Sequence, residues 1–299
     1  MLKVSRIARA TVLVLVASLS FGAISVLTVL TARGGLQLID AMVWRYVLGV
    51  VVLGLRSSPR QIAEIPIRKI AVLIAIGGGG QALITFVSLS SLEYISVGTL
   101  AFLFYTYPAW VALLQSLTGA EKLTLPRLAA LALALGGIAV MMGSPGTASL
   151  NIAGVLLALG ASVLYAFYLP LLQRMQRGVP AQNTVFLIVI GAALSFLGSG
   201  LMKGHISVPA SGAVWTNILL LAVVSTGIAF TALLAGLSVL GPVRTAIIAT
   251  IEPFFTALLG VIVLRDSLRV TTLLGGALIV AAVLVIEWSS NVRRAKLAG

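Results

Sequence analysis

The sequence predicts an all-α membrane protein of ten transmembrane helices, arranged as two inverted five-helix repeats with both termini cytoplasmic. Three observations carry that prediction. Of the 299 residues 60% are hydrophobic and only 9% charged, with a mean hydropathy of +1.16. A soluble domain carries about 25% charged residues, so the chain lacks the polar surface a soluble fold needs. Ten apolar segments are long enough, or nearly so, to cross a bilayer, and their flanking charges are strongly one-sided. The punctuation of the first half also recurs in the second, with Tyr107-Pro108 matched by Glu252-Pro253.

A helix needs about 20 apolar residues to cross roughly 30 Å of hydrocarbon. The first span, 8–32, follows Lys3, Arg6 and Arg9. That start is like a signal peptide, but the apolar run is too long and has no convincing cleavage site, so it reads as a retained helix. Arg33-Gly34-Gly35 closes it, and the second span, 38–55, ends before Ser57-Ser58-Pro59. Spans three and four follow at 68–90 and 94–118, and Leu123-Thr124-Leu125-Pro126 introduces span five at 126–143. Ser144-Pro145-Gly146 separates the halves, giving repeats at 1–145 and 146–299. Spans six to ten are expected at 150–173, 183–202, 214–239, 244–264 and 270–289, punctuated by Gly178-Val179-Pro180 and Gly241-Pro242. Glycine and proline mark each boundary because neither sits comfortably inside a helix. The linkers are too short for a soluble domain.

The orientation follows from the cations. With the N-terminus inside, fifteen of the 20 Lys and Arg residues fall on the cytoplasmic side: Lys3, Arg6, Arg9, Arg56, Arg60, Arg68, Lys69, Lys122, Arg127, Arg174, Arg177, Arg244, Arg293, Arg294 and Lys296. Arg33, Lys203, Arg265 and Arg269 fall outside, and Arg45 lies within span two. Such a bias is the positive-inside signature, and nine or eleven spans would scramble it. The net charge of +13 is therefore dispersed over short turns, which excludes a nucleic-acid groove. With no cysteine and one histidine (His205), neither a thiolate nor a multi-histidine metal site can form, and no cofactor is expected.

The two halves align at a fixed separation. Leu92, Ala101, Pro108, Ala112, Leu113 and Leu114 fall on Leu237, Ala246, Pro253, Ala257, Leu258 and Leu259. Gly77-Gly78-Gly79-Gly80-Gln81 falls on Ala222-Val223-Val224-Ser225-Thr226, and a charged turn follows each proline span, Glu121-Lys122-Leu123 and then Asp266-Ser267-Leu268. Five spans per copy is odd, which forces opposite orientations in the bilayer.

These features together resemble a known family. Arg45-Tyr46 in span two, the proline of span four followed by Glu121-Lys122-Leu123, and Glu252-Pro253 followed by Leu274-Gly275-Gly276-Ala277-Leu278-Ile279-Val280 look like the two EamA-type repeats of the drug/metabolite transporter superfamily. The resemblance covers residues 10 to 289, with two departures: Asp266 replaces the usual Glu, and Tyr107 stands where the second repeat has Glu252. It implies a ten-helix basket around a central cavity lined mainly by helices 1, 3, 4, 6, 8 and 9. Within the superfamily the chain is most similar to bacterial amino-acid exporters, including the aromatic branch. Inner-membrane location and a small-molecule substrate follow from that resemblance; a monomer is compatible with it.

Ionisable groups at membrane depth are costly and mark functional sites. Arg45 lies about 9 Å from the outer face and Glu252 about 12 Å from the inner one, about 9 Å apart along the normal. Two readings stand for Arg45: a cavity charge, or a side chain snorkelling to Asp40 or Glu93. Two stand for Glu252: a carboxyl capping carbonyls freed by Pro253, or a proton or amine site. Glu287, beside Trp288, reads as an interfacial anchor. Tyr105 and Tyr165 are candidate cavity rings, with Tyr168 a candidate for the interfacial belt; Trp44 adjoins Arg45 and is a candidate for either. Gly79 and Gly80 precede Gln81 in span three, and Gly227 follows Thr226 in span eight. Small, polar breaks at matching positions point to a midplane site. Gln81, Tyr105, Tyr165, Thr226 and Trp44 are therefore the candidate substrate residues, and Gly79, Gly80, Pro108, Gly227 and Pro253 the candidate hinges.

A secondary transporter or exporter of small metabolites, working by alternating access, is the reading these residues support best, with amino acids as the substrate the resemblance implies. An exporter or exchanger of other metabolites or drugs is the alternative. An intramembrane enzyme would need clustered catalytic groups, whereas His205 lies alone in an outer turn; a channel would need a filter or charge ring.

Overall fold

The computed structural model describes residues 6–91, 93–95, 97–142, 151–265 and 267–298. The Ser144-Pro145-Gly146 boundary, Leu92 and Asp266 lie outside the described residues. The described chain is helical, without a strand. Among the described residues, nine helices are long and apolar enough to cross a membrane: Arg6–Arg33, Leu38–Arg56, Ile67–Ser88, Thr99–Leu117, Ile152–Met175, Ala181–Met202, Gly212–Leu240, Pro242–Leu264 and Val270–Ser289. The tenth, Leu125–Met141, is a shorter apolar helix and stands fifth in order. These ten spans reproduce the expected ones to within a few residues.

Four spans are not uniform α-helices; their mid-span breaks fall in matched pairs, while span 9 has in addition a π-helical stretch at Gly260–Leu264 with no mate in Tyr107–Leu117 of span 4. Span 3 is α-helical over Ile67–Ala75, π-helical over Ile76–Gln81 and α-helical again over Ala82–Ser91. Span 8 repeats this with Gly212–Leu220, a π-helical Leu221–Ile228 and Ala229–Leu240. In span 3 the cause is Gly77 to Gly80, which favour no helix and carry no side chain to hold the turn. Span 4 stops at Phe104 and restarts at Tyr107; span 9 stops at Ala249 and restarts at Glu252. At each restart a proline stands second and has no N–H to continue the ladder. A threonine closes each break: Thr106 Oγ1 donates to the Leu103 carbonyl at 2.6 Å and Thr250 Oγ1 to the Ile247 carbonyl at 2.6 Å.

The packing pattern is that of two inverted copies. Span 5 packs on span 10, span 2 on span 7 and span 4 on span 9, each being its own mate across a two-fold axis. The remaining principal contacts come as mates: spans 1 and 8 with spans 6 and 3, spans 1 and 9 with spans 6 and 4, and spans 3 and 7 with spans 8 and 2. Small residues make the closest approaches possible, since apolar lipid gives helices no hydrophobic reason to associate. A side chain at Gly77 would run into the Ile188 carbonyl and one at Gly191 into the Ile74 carbonyl, so the backbones of spans 3 and 7 touch. Gly137 and Gly275 do the same for spans 5 and 10.

Candidate functional site

Between the two halves lies a cavity of about 450 Å³. Its walls come from spans 1, 2, 3, 4, 6, 8 and 9; span 2 joins the six helices the family resemblance implies. The lining runs from Gln81, Tyr165 and Glu252 at mid-membrane to Leu38, the first residue of span 2, and Ser88, near the end of span 3. The cavity therefore reaches the face that carries the 34–37 turn, opposite the N-terminus.

Arg45 projects into this cavity and is only 4% exposed. Its Nε donates to Thr226 Oγ1 at 2.9 Å and its Nη2 to the Ser225 carbonyl at 3.2 Å. Both acceptors belong to the π-helical stretch of span 8, whose Ser225 hydroxyl in turn bonds the Ser20 carbonyl of span 1 at 2.8 Å. The guanidinium also lies 5.2 Å from the centre of the Tyr46 ring, which stacks on Phe196. Arg45 does not snorkel toward Asp40 or Glu93, because the break in span 8 supplies acceptors at its own depth. Nη1 is left with only the weak thioether acceptor of Met42, at 3.9 Å.

Glu252 lines the same cavity as Arg45. The Tyr105 hydroxyl donates to its carboxylate. Tyr107 and Tyr165 close this side, their rings 4.8 Å apart edge to face, with Phe104 5.6 Å from Tyr165. The start of the second half of span 9 points the carboxyl inward, so capping of the freed carbonyls is not its arrangement. Gln81 Oε1 and Thr28 Oγ1 also belong to cavity-lining residues and are buried without a hydrogen-bond partner.

Of the predicted substrate residues, Gln81 and Tyr165 line the cavity. Tyr105 stands behind Glu252 rather than in the wall, and Thr226 is fully buried with its hydroxyl committed to Arg45. Trp44 lies elsewhere: its Nε1 donates to the Ser207 carbonyl at 3.0 Å and its ring packs on Trp215. Of the predicted hinges, Gly79, Gly80 and Gly227 fall within the π-helical stretches, and Pro108 and Pro253 at the two restarts. Tyr168 is not an interfacial ring; it is 4% exposed, packed behind Tyr165 and against Gly80. Sequence reasoning missed Ser25, Thr28, Tyr46 and Phe230 as cavity residues and noted Tyr107 only as a departure.

The opposite face carries polar contacts of which two, the Thr11 hydroxyl on Glu287 and the Val243 N–H on Glu121, cross between the halves. Arg244 at the start of span 9 pairs with Glu287 of span 10, to which the Thr11 hydroxyl of span 1 also donates. Glu287 is thus a part-buried tie and not a simple anchor. Glu121, in the turn after span 4, pairs with Arg127 at 2.7 Å and accepts the Val243 N–H. Burial pushes the Glu121 carboxyl above the usual carboxylate range, with Arg127 opposing the shift.

Ten spans in two inverted sets, a midplane cavity open to one face and broken helices beside it together define a transporter fold. The chain matches the EamA-like transporter family over residues 8–143 and again over 152–288, and it belongs to that family. It is 29% identical over 211 residues to an uncharacterized transporter of Archaeoglobus fulgidus, covering 69% of this chain and 74% of that protein. A chain from a solved crystal structure superposes with a TM-score of 0.78 at 22% identity, covering 93% of this chain and 96% of that one. The protein is a multi-pass membrane transporter of small molecules.

Proposed function

We propose that the transported molecule is a zwitterionic metabolite, an amino acid in the simplest case and an aromatic one by preference. The observation that supports this reading is the pairing of one cation, Arg45, with one carboxylate, Glu252, in a single aromatic-walled cavity of about 450 Å³. A substrate carboxylate finds Arg45 Nη1, and a substrate ammonium finds Glu252 and the Gln81 amide oxygen. Phe104, Tyr107 and Tyr165 receive the side chain, and rings select by stacking rather than by fixed polar contacts. The two halves, 1–145 and 146–299, rock about the breaks at Pro108 and Pro253 to expose the site alternately. The positive bias supports a cytoplasmic N-terminus, and with it an inner-membrane protein whose cavity faces outward in this conformation. Release to that side makes it an exporter.

A drug-like organic cation is the second reading, favoured by the carboxylate set among tyrosines; Arg45 opposes it electrostatically. Counterflow in proteoliposomes decides. Zwitterionic amino acids should exchange, with aromatic ones fastest, while their amides and decarboxylated amines should not. Exchange of the amines alone would establish the cation reading and overturn the zwitterion.

A further inference from the structure

A second cavity, of about 290 Å³, lies against the bilayer-facing flank of spans 1, 2, 7 and 8, in the half nearer the N-terminal face. Most of its wall is apolar, including Val16, Val52, Ile228 and Ala235. Val16 is 38% and Ile228 39% exposed, which in mid-span means exposed to lipid. The rim is different. Arg56, the last residue of span 2, and Gln182, the second residue of span 7, converge there.

Neither group has its partner within the described residues. Gln182 Nε2 is buried with no acceptor. The carboxylates described on the same face are all engaged: Glu64 with Arg60, Glu121 with Arg127 and Glu287 with Arg244. Arg56 therefore faces the rim without a carboxylate counter-charge. A guanidinium beside an orphaned amide N–H is a donor set for a phosphate oxygen, and Arg engages phosphate through two parallel N–H bonds. The apolar remainder demands more than a phosphate. Each methylene buried there adds to binding, and the open flank lets a chain enter from the bilayer.

We infer that this pocket is a binding site for an anionic phospholipid of the N-terminal leaflet, its phosphate held by Arg56 and Gln182 and an acyl chain laid between Val16, Val52, Ile228 and Ala235. Basic niches between helices on the cytoplasmic side are where such headgroups bind. The pocket also shares a wall with the transport cavity. Gly227 and Ile228 face the lipid pocket from the same π-helical stretch whose Ser225 and Thr226 hold Arg45.

The test uses the full chain in detergent, with lipid retention read by native mass spectrometry and thermal unfolding followed in parallel. Added phosphatidylglycerol should be retained and should raise the unfolding temperature, and phosphatidylcholine should do neither. Arg56→Gln should weaken phosphatidylglycerol retention roughly tenfold, the loss of one charge-assisted hydrogen bond. Arg56→Lys, which keeps the charge and the surface, should lose only a few-fold. Ala235→Phe should block retention with the charge intact, so a folding defect at Arg56 leaves the inference testable. Soluble glycerol phosphate should not displace the lipid. Retention unchanged in both Arg56→Gln and Ala235→Phe overturns the site; equal retention of phosphatidylcholine overturns its anionic character. Displacement by glycerol phosphate overturns the lipid as its occupant.

Discussion

Arg45 and Glu252 are a charge pair that does not touch, and the distinction matters for what each can do. A direct salt bridge would neutralise both and leave the cavity nothing to offer. Here each charge is held from behind, Arg45 by Thr226 and Ser225 and Glu252 by Tyr105, so that its front remains toward the cavity. Arg45→Gln should therefore cut counterflow of a zwitterionic amino acid by roughly tenfold or more, the worth of a charged hydrogen bond, while leaving detergent-phase folding intact. Glu252→Gln should spare folding but flatten the pH profile of transport, because it removes a titrating carboxyl from the cavity wall. A profile identical to that of the wild type would remove Glu252 from coupling. Both charges were legible in the sequence because an ionised side chain inside an apolar run has no ordinary reason to be there. The cavity hydroxyls were not. Thr31 returns its hydroxyl to the Leu27 carbonyl at 2.7 Å, as threonines in apolar helices commonly do. Thr28, three residues earlier on the same helix, has no such partner and lines the cavity. Nothing in the two residues' identities distinguishes them; only the neighbouring helices do.

At the scale of the element, the sequence announced where helices would fail but not how. Proline marked the breaks in spans 4 and 9, and the glycine run marked span 3. The π-helical winding of spans 3 and 8 was invisible, because span 8 achieves it with Leu221 to Ile228, a stretch with a single glycine. What fixes it there is tertiary: Ser225 gives Arg45 a carbonyl that an unbroken α-helix would keep within its own ladder, and Thr226 adds its side-chain hydroxyl. The glycines of span 3 do unequal work, which gives a sharp contrast. A methyl at Gly77 meets the Ile188 backbone, whereas one at Gly79 meets nothing within 4 Å. Gly77→Ala should destabilise the protein by about 1–3 kcal/mol through overpacking. Gly79→Ala should be neutral or stabilising by up to about 1 kcal/mol through helix propensity. Thermal unfolding in detergent measures both. The turn at Glu121 gives a pH signature of its own. Its carboxyl is raised on folding, so the folded chain binds more protons than the unfolded one. Its contribution to stability therefore falls as pH rises from the usual carboxylate value to the raised one. Glu121→Gln should remove that slope from the unfolding temperature measured across mildly acidic pH.

Across the whole molecule, the two halves share a scaffold but not a chemistry. The principal packed pairs of spans have their mates, yet Glu252 answers Tyr107, and Arg45 sits in a span whose mate contributes no cavity charge. The scaffold symmetry is what lets one face close as the other opens; the asymmetry is what gives the site a direction for its ligand. In this conformation the two halves are joined at the N-terminal face by the Thr11 hydroxyl on Glu287, which Arg244 holds in place, and by the Val243 N–H on Glu121, which Arg127 holds in place. Gln173, whose Nε2 bonds the Leu237 carbonyl at 3.3 Å, lies between spans 6 and 8 of the second half. The chain contains no cysteine, so single cysteines report access without a background to remove. Ser88→Cys, near the open end of the cavity, should react with a membrane-impermeant maleimide added to the face opposite the N-terminus, and a transported amino acid should protect it. Gln173→Cys should be unreactive from the N-terminal face at rest and should become reactive when Arg244→Gln breaks the tie to Glu287. If Ser88→Cys instead labels only from the N-terminal face, the assigned orientation is reversed. If Gln173→Cys labels equally well with and without the Arg244 tie, those polar contacts are not what keeps that face closed, and the barrier lies in the apolar packing of Val14, Val111 and Ile247 beneath them.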